Sequence, residues 1–246
     1  MTLDLTETPS FSGSPHPFER LLAFFEILLV GVSGYLFIPV LFVLSGVSQE
    51  QLLEDTRYLF AVMVLEASYT LLLIVLLLRV RGEAASSIGW SLSRPRKEFL
   101  IGLFAVPLLF CCTLLVGLVF RAFFPQYVSS TNPLLELIQT PTDLLFFVIS
   151  SIYVGGIKEE VQRAFILVRF EKYLGGIAVG LAVWSLFFGY GHVIQGVDNA
   201  IGAGFLGLLF GLLFVWRRNL IAPILSHALF DITTLMVYWN FLRGAG

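Results

Sequence analysis

The sequence predicts an all-α polytopic bundle of about seven transmembrane helices, and three observations carry that reading. Of 246 residues, 57% are hydrophobic and only 13% are charged, about half the charged share of an ordinary soluble domain, roughly 25%. Mean hydropathy is +0.89, so too little polar surface exists to cover a water-facing globule. The apolar residues also gather into runs of about 20, the length that crosses the hydrocarbon core of a bilayer. The same composition excludes other classes. A net charge of −2 offers no basic face for nucleic acid. Cys111 and Cys112 are adjacent inside an apolar run, where neither an ordinary structural disulfide nor a zinc knuckle fits.

The elements follow in order. Residues 1–19 are polar and rich in Ser, Thr and Pro, and read as a disordered tail; residues 20–246 form the transmembrane domain. The first apolar run, Leu21 to Leu44, is longer than the roughly 7–15 residues of a cleavable signal and is read as a retained span. Seven candidate spans result: 21–44, 59–78, 99–120, 143–168, 174–193, 200–216 and 220–242. The fourth is interrupted by Lys158, Glu159, Glu160 and Arg163. The fifth and sixth carry many glycines, among them Gly180, Gly189, Gly204 and Gly211, and are expected to pack closely inside the bundle. Arg79, Arg81, Arg94, Arg96 and Lys97 lie between spans two and three, which places that connection in the cytoplasm. The N-terminus and the basic connections near Lys172 and Arg218 then fall on the same side, and Asp198 on the other. The chain reads as an integral protein of the cell membrane.

Ionisable groups inside spans are costly, about 2.5–3.5 kcal/mol each for Asp or Lys at a helix centre on insertion scales. Three spans nevertheless carry them, at helical spacings. Glu159 and Glu160 precede Arg163 by four and three residues, so either carboxylate can meet the guanidinium. Phe188 lies one turn before His192, and His227 one turn before Asp231. Each set alone has a structural reading: an ion pair, an interfacial imidazole, a helix-locking hydrogen bond. Together they point to one water-filled cavity between spans four, five and seven. A carboxylate facing a histidine can deprotonate water, and a second histidine with an aspartate one turn away can hold the oxygen that becomes negative. Two histidines and a glutamate, here Glu159, His192 and His227, would also suit a catalytic zinc. The HExxH zinc-protease pattern, a Gly-x-Ser-x-Gly elbow and phosphate loops are all missing. Glu26 and Glu66 have no basic partner at helical spacing and read as interfacial or interhelical hydrogen bonders.

The ordered set Glu159-Glu160-Val-Gln-Arg163, Phe188-Gly-Tyr-Gly-His192 and His227-Ala-Leu-Phe-Asp231 resembles the CPBP family of intramembrane proteases, also called the Abi family. That family includes CAAX prenyl endopeptidases and bacteriocin-processing or immunity proteins. The resemblance covers roughly residues 143–240. It implies Glu159 as the water-activating carboxylate with His192 as its partner, His227 and Asp231 on the oxyanion side, and Glu160, Arg163 and Phe188 in support. Asp231 stands where the family often has Asn, which makes it an orienter of His227. Two residues rather than three separate the glutamate pair from Arg163, which turns Arg163 by about 100° and points it to Glu159 on its own helix. The implied activity is endopeptidase cleavage of a membrane-associated protein or peptide, by a metal-free glutamate mechanism or with zinc as the alternative. A non-catalytic immunity or scaffold protein and a small proton-coupled transporter are the rival readings. No carboxylate lies at helical spacing from His192 to serve as its second-shell acceptor, which favours the metal-free form.

Overall fold

The structure is a computed structural model, and it describes residues 15–129 and 131–242. Among those residues there is no strand; the chain is a bundle of helices. The long helices are α1 (Pro17–Leu44), α2 (Thr56–Val80), α3 (Pro95–Phe123), α4 (141–173), α5 (Ile177–Gly191), α6 (Val197–Arg217) and α7 (Ile221–Phe241). Five of them, α1, α2, α3, α6 and α7, are long and apolar enough to cross a membrane, against the seven spans expected. The other two differ for physical reasons. Charge occupies the middle of α4, and α5 has only 15 residues. Gly175 and Gly176 take left-handed φ values of 97° and 95°, which removes residues 174–176 from that span.

Local chemistry sets the helix starts. α1 begins at Pro17, with His16 Nδ1 accepting from the Phe18 amide at 3.3 Å, so residues 17–19, expected in the tail, form its first turn. The rest of that expected tail, residues 1–14, lies outside the described residues. Asp55 caps α2, and Thr140 with Asp143 forms a capping box at the start of α4. Pro95 opens α3 at its first turn.

α4 is the axis of the bundle. Residues Glu160 to Arg169 are all buried, so every face of this stretch meets another helix. Its apolar residues, Phe165, Ile166 and Leu167 among them, make the centre of the core with Val30, Ile74, Trp184 and Phe214. Upstream, Ser151–Glu159 is wound as a π-helix, a form that appears mostly as short insertions and frequently at functional sites. α5 and α6 pack closely, as their glycines predict. A Cβ at Gly189 would stand 2.7 Å from the Ala200 carbonyl oxygen, so only glycine permits this crossing.

The basic connections gather at one end. Leu220 donates to Gly89 O at 3.0 Å and Asn219 to Ser91 O at 2.9 Å. Arg218 pairs with Glu171 at 2.6 Å, and Arg169 with Glu83 at 2.8 Å. Glu19, in the first turn of α1, pairs with Arg81 and brings the start of α1 to that same end. Asp198 opens α6 at the opposite end.

Candidate functional site

The site is built from α4, α5 and α7, the three spans whose charges stand out in the sequence. At its centre is the His227 ring, buried in α7 and stacked on Phe210 with centroids 4.3 Å apart. Glu160 Oε1 lies 2.6 Å from His227 Nδ1 and also accepts from Arg163. A carboxylate can only accept from the neutral or cationic ring, so Nδ1 carries a proton and Nε2 faces away from Glu160. On that other side, Nε2 is 3.7 Å from both Glu159 Oε2 and Asp231 Oδ2. These gaps are too long for direct hydrogen bonds and are of the length a bridging water spans.

Arg163 is fully buried. Besides Glu160, its guanidinium lies 4.8 Å from the Phe188 ring and 5.5 Å from the Phe210 ring, so π faces stand where further acceptors would be. Helical spacing allowed either carboxylate, and the departure from the family's spacing favoured Glu159; the partner on the same helix is Glu160. The reason is that Glu159 closes the π-helical turn and faces the cavity, while Glu160 starts the regular helix that carries Arg163.

Glu159, His192, His227 and Asp231 line one cavity of about 530 Å³ together with Phe188. His192 enters it at the end of α5. Its Nδ1 is 2.7 Å from the Phe188 carbonyl oxygen, which can only accept, so the proton sits on Nδ1 and Nε2 is the open position. Along the helices, His192 lies some 22 Å from the start of α5 and His227 only some 9 Å from the start of α7. Phe188 bridges that difference in depth, with its ring 4.6 Å from His192 and 6.2 Å from His227. No direct contact joins His192 to Glu159 among the described residues; the imidazole beside Glu159 is His227.

Gly155, on the π-helical stretch, makes room for Asp231: a Cβ there would stand 2.7 Å from Asp231 Oδ2. The orienting contact to His227 comes from Glu160 rather than from Asp231, across 67 residues of sequence, where helical spacing gives no signal. As for a metal, no three His, Cys, Asp or Glu side chains among the described residues gather as a group that could hold an ion.

Glu26 and Glu66, expected as interfacial or interhelical hydrogen bonders, do bond between helices, and to cations. Glu26 is buried and pairs with Arg81 and Arg169, each at 2.6 Å. Glu66 pairs at 2.8 Å with Lys158, which also donates to Tyr35 Oη at 2.7 Å. The partners lie on other helices, so spacing within one span could not find them. Phe210 and Gly155 were likewise unremarked in the sequence; a buried aromatic and a glycine carry no mark of the site they shape.

No curated protein and no solved structure matched the chain. Residues 140–233 match the model of a protein family described as Type II CAAX prenyl endopeptidase Rce1-like. That segment holds both glutamates, Arg163, both histidines and Asp231, and the family it matches is the CAAX protease family that its three motifs resemble.

Proposed function

We propose that this chain is an intramembrane endopeptidase that hydrolyses a peptide bond in a membrane-associated protein or peptide. The observation that carries the reading is the placement of Glu159 and Asp231 each 3.7 Å from His227 Nε2, on the wall of a cavity that His192 also lines. Three carboxylates face one imidazole there, and Arg163 pairs with one of them, Glu160.

In this reading Glu159 takes a proton from a water as the water oxygen bonds to the peptide carbonyl carbon. His192, with Nδ1–H fixed on the Phe188 carbonyl, presents Nε2 to the same cavity and relays the proton. His227, clamped by Glu160, carries N–H on both nitrogens when protonated. The Nδ1–H stays directed at Glu160, and the Nε2–H is donated to the carbonyl oxygen as it becomes negative. Collapse of the tetrahedral intermediate breaks the C–N bond, and the proton returns to the leaving amine. No step requires a metal. The basic end of the bundle is assigned to the cytoplasm.

The test uses the purified full chain in liposomes with two peptide sets, one carrying a C-terminal prenylated cysteine motif and one unmodified. Cleavage by the wild type that falls by about 10²–10⁴-fold in Glu159→Gln is the expected result, the range general acid–base catalysis supplies. Cleavage that survives Glu159→Gln, or wild-type protein that cleaves neither set, would overturn the proposal and favour the scaffold or transporter readings.

A further inference from the structure

A second concave feature lies on the lipid-facing side of the pair α3 and α6, away from the cavity. It is a groove of about 840 Å³ between the first half of α3 and the last turns of α6. Its walls are apolar side chains, several of them exposed, including Leu100, Phe104 and Leu212. Its end is different: Arg96 and Lys97 close it, beside the exposed ring of Trp216. Arg94, Arg96 and Lys97 make no side-chain hydrogen bond or ion pair among the described residues. The acid in that turn, Glu98, is buried and already held by Arg217 at 2.6 and 3.0 Å, so it does not offset them. An apolar channel that ends in uncompensated positive charge complements an amphiphile with an anionic head.

The dimensions narrow the class. Twelve residues of α3 separate Arg96 from Leu108 at the far end of the groove, a rise of about 18 Å. That is close to one leaflet, half of a hydrocarbon core about 30 Å thick. Trp216, with the Arg217 guanidinium 4.8 Å from its ring, sits where aromatic residues mark the headgroup level. We infer that the groove is a binding site for an anionic phospholipid, with one acyl chain between α3 and α6 and the phosphate at Arg96 and Lys97.

The inference is independent of the proteolytic reading. Purified full-length protein is titrated in detergent with phosphatidylglycerol and with phosphatidylcholine of the same acyl chains, and bound lipid is counted by native mass spectrometry. At least tenfold tighter binding of phosphatidylglycerol is expected, falling to the phosphatidylcholine level in the double variant Arg96→Gln, Lys97→Gln. Leu212→Trp, at a lipid-facing position, should fill the groove and weaken both lipids, while Arg96→Lys should keep the preference. Equal binding of the two lipids by the wild type would overturn the inference, as would a preference that survives loss of both charges. Glycerol phosphate binding as tightly as the lipid would reassign the end to a free phosphate and remove the acyl chain. A Leu212→Trp variant that breaks a dimer but leaves lipid binding intact would give the groove to a second copy of the chain instead.

Discussion

Two charged regions of this bundle are buried to a similar degree and are built on opposite principles. At the basic end, Glu26 is shared by Arg81 and Arg169, and Glu83 by Arg169 and Lys172. Each acid there meets at least one cation, and the cations come from other helices. Around His227 the balance is reversed: Glu159, Glu160 and Asp231 surround one imidazole, and among the described residues Arg163 is the one guanidinium that pairs with any of them. The first region is closed by its own pairs. The second leaves two carboxylates facing a cavity at distances only a water or substrate can bridge. Burial of charge is therefore not in itself a mark of function here; an excess of one sign facing open space is.

The largest effect should come from removing the excess. Glu159→Gln is expected to cost two or more orders of magnitude in cleavage with little change in thermal stability, because Glu159 faces the cavity and bears no direct side-chain hydrogen bond among the described residues. A large drop in melting temperature would blur the contrast between the regions. Arg169→Ala should do the reverse. It leaves Glu26 and Glu83 short of a buried partner, and breaking a buried pair costs about 3–5 kcal/mol. The folded fraction should keep its activity per molecule, measured by denaturation in detergent alongside the cleavage assay.

Next comes Lys158, which precedes Glu159 and Glu160 in sequence but pairs with Glu66. Lys158→Met alone should destabilise by a few kcal/mol, and adding Glu66→Leu should restore about half or more, since a well-packed apolar pair often matches a buried ion pair. Failure of the second change to rescue would assign Lys158 a role in the site. Metal content is a separate cut through the same comparison. Elemental analysis should find no stoichiometric zinc, and chelators should leave cleavage intact; one zinc per chain, lost together with activity, would reassign the carboxylates as ligands.

The smallest effect concerns Glu83, in the connection after α2. Burial pushes its carboxyl up, but Arg169 and Lys172 more than offset this and hold it below its ordinary value of 4.5. A carboxylate with a lowered folded value stabilises above the unfolded value and loses that contribution as pH falls through the folded one. Stability should thus decline below about pH 4.5, and Glu83→Gln should flatten part of that decline. An unchanged slope would mean that the basic end is not held by this carboxylate.

What was legible in the sequence followed from local rules. Composition and run length gave the helical membrane bundle, and i, i+3 and i, i+4 spacings picked out Glu159, Glu160, Phe188, His192, His227 and Asp231. All six lie at or around one cavity. The partners within the site were less legible, because they depend on how α4, α5 and α7 are set against one another. Spacing offered Asp231 as the orienter of His227, and the contact comes from Glu160. Spacing left Glu26 and Glu66 without cations, and their partners lie 55 to 143 residues away in the chain. The π-helical winding of Ser151–Glu159 had no visible signal either, and it decides which glutamate faces the cavity.

The way α4 is held has a consequence for biogenesis. Its polar side chains find their partners on segments made earlier: Gln162 donates to Val30 O, Lys158 meets Tyr35 and Glu66, and Arg169 meets Glu26. Inserted alone, α4 would carry Lys158 unpaired near its middle, at about 2.5–3.5 kcal/mol on insertion scales, and Arg169 unpaired nearer its end. The ribosome has already delivered α1 and α2 by the time α4 emerges, so those two helices act as an intramolecular chaperone for the segment that bears the glutamates. A glycosylation-reporter assay should find 141–173 poorly inserted on its own and well inserted behind α1 and α2; efficient solo insertion would show that this helix needs no escort.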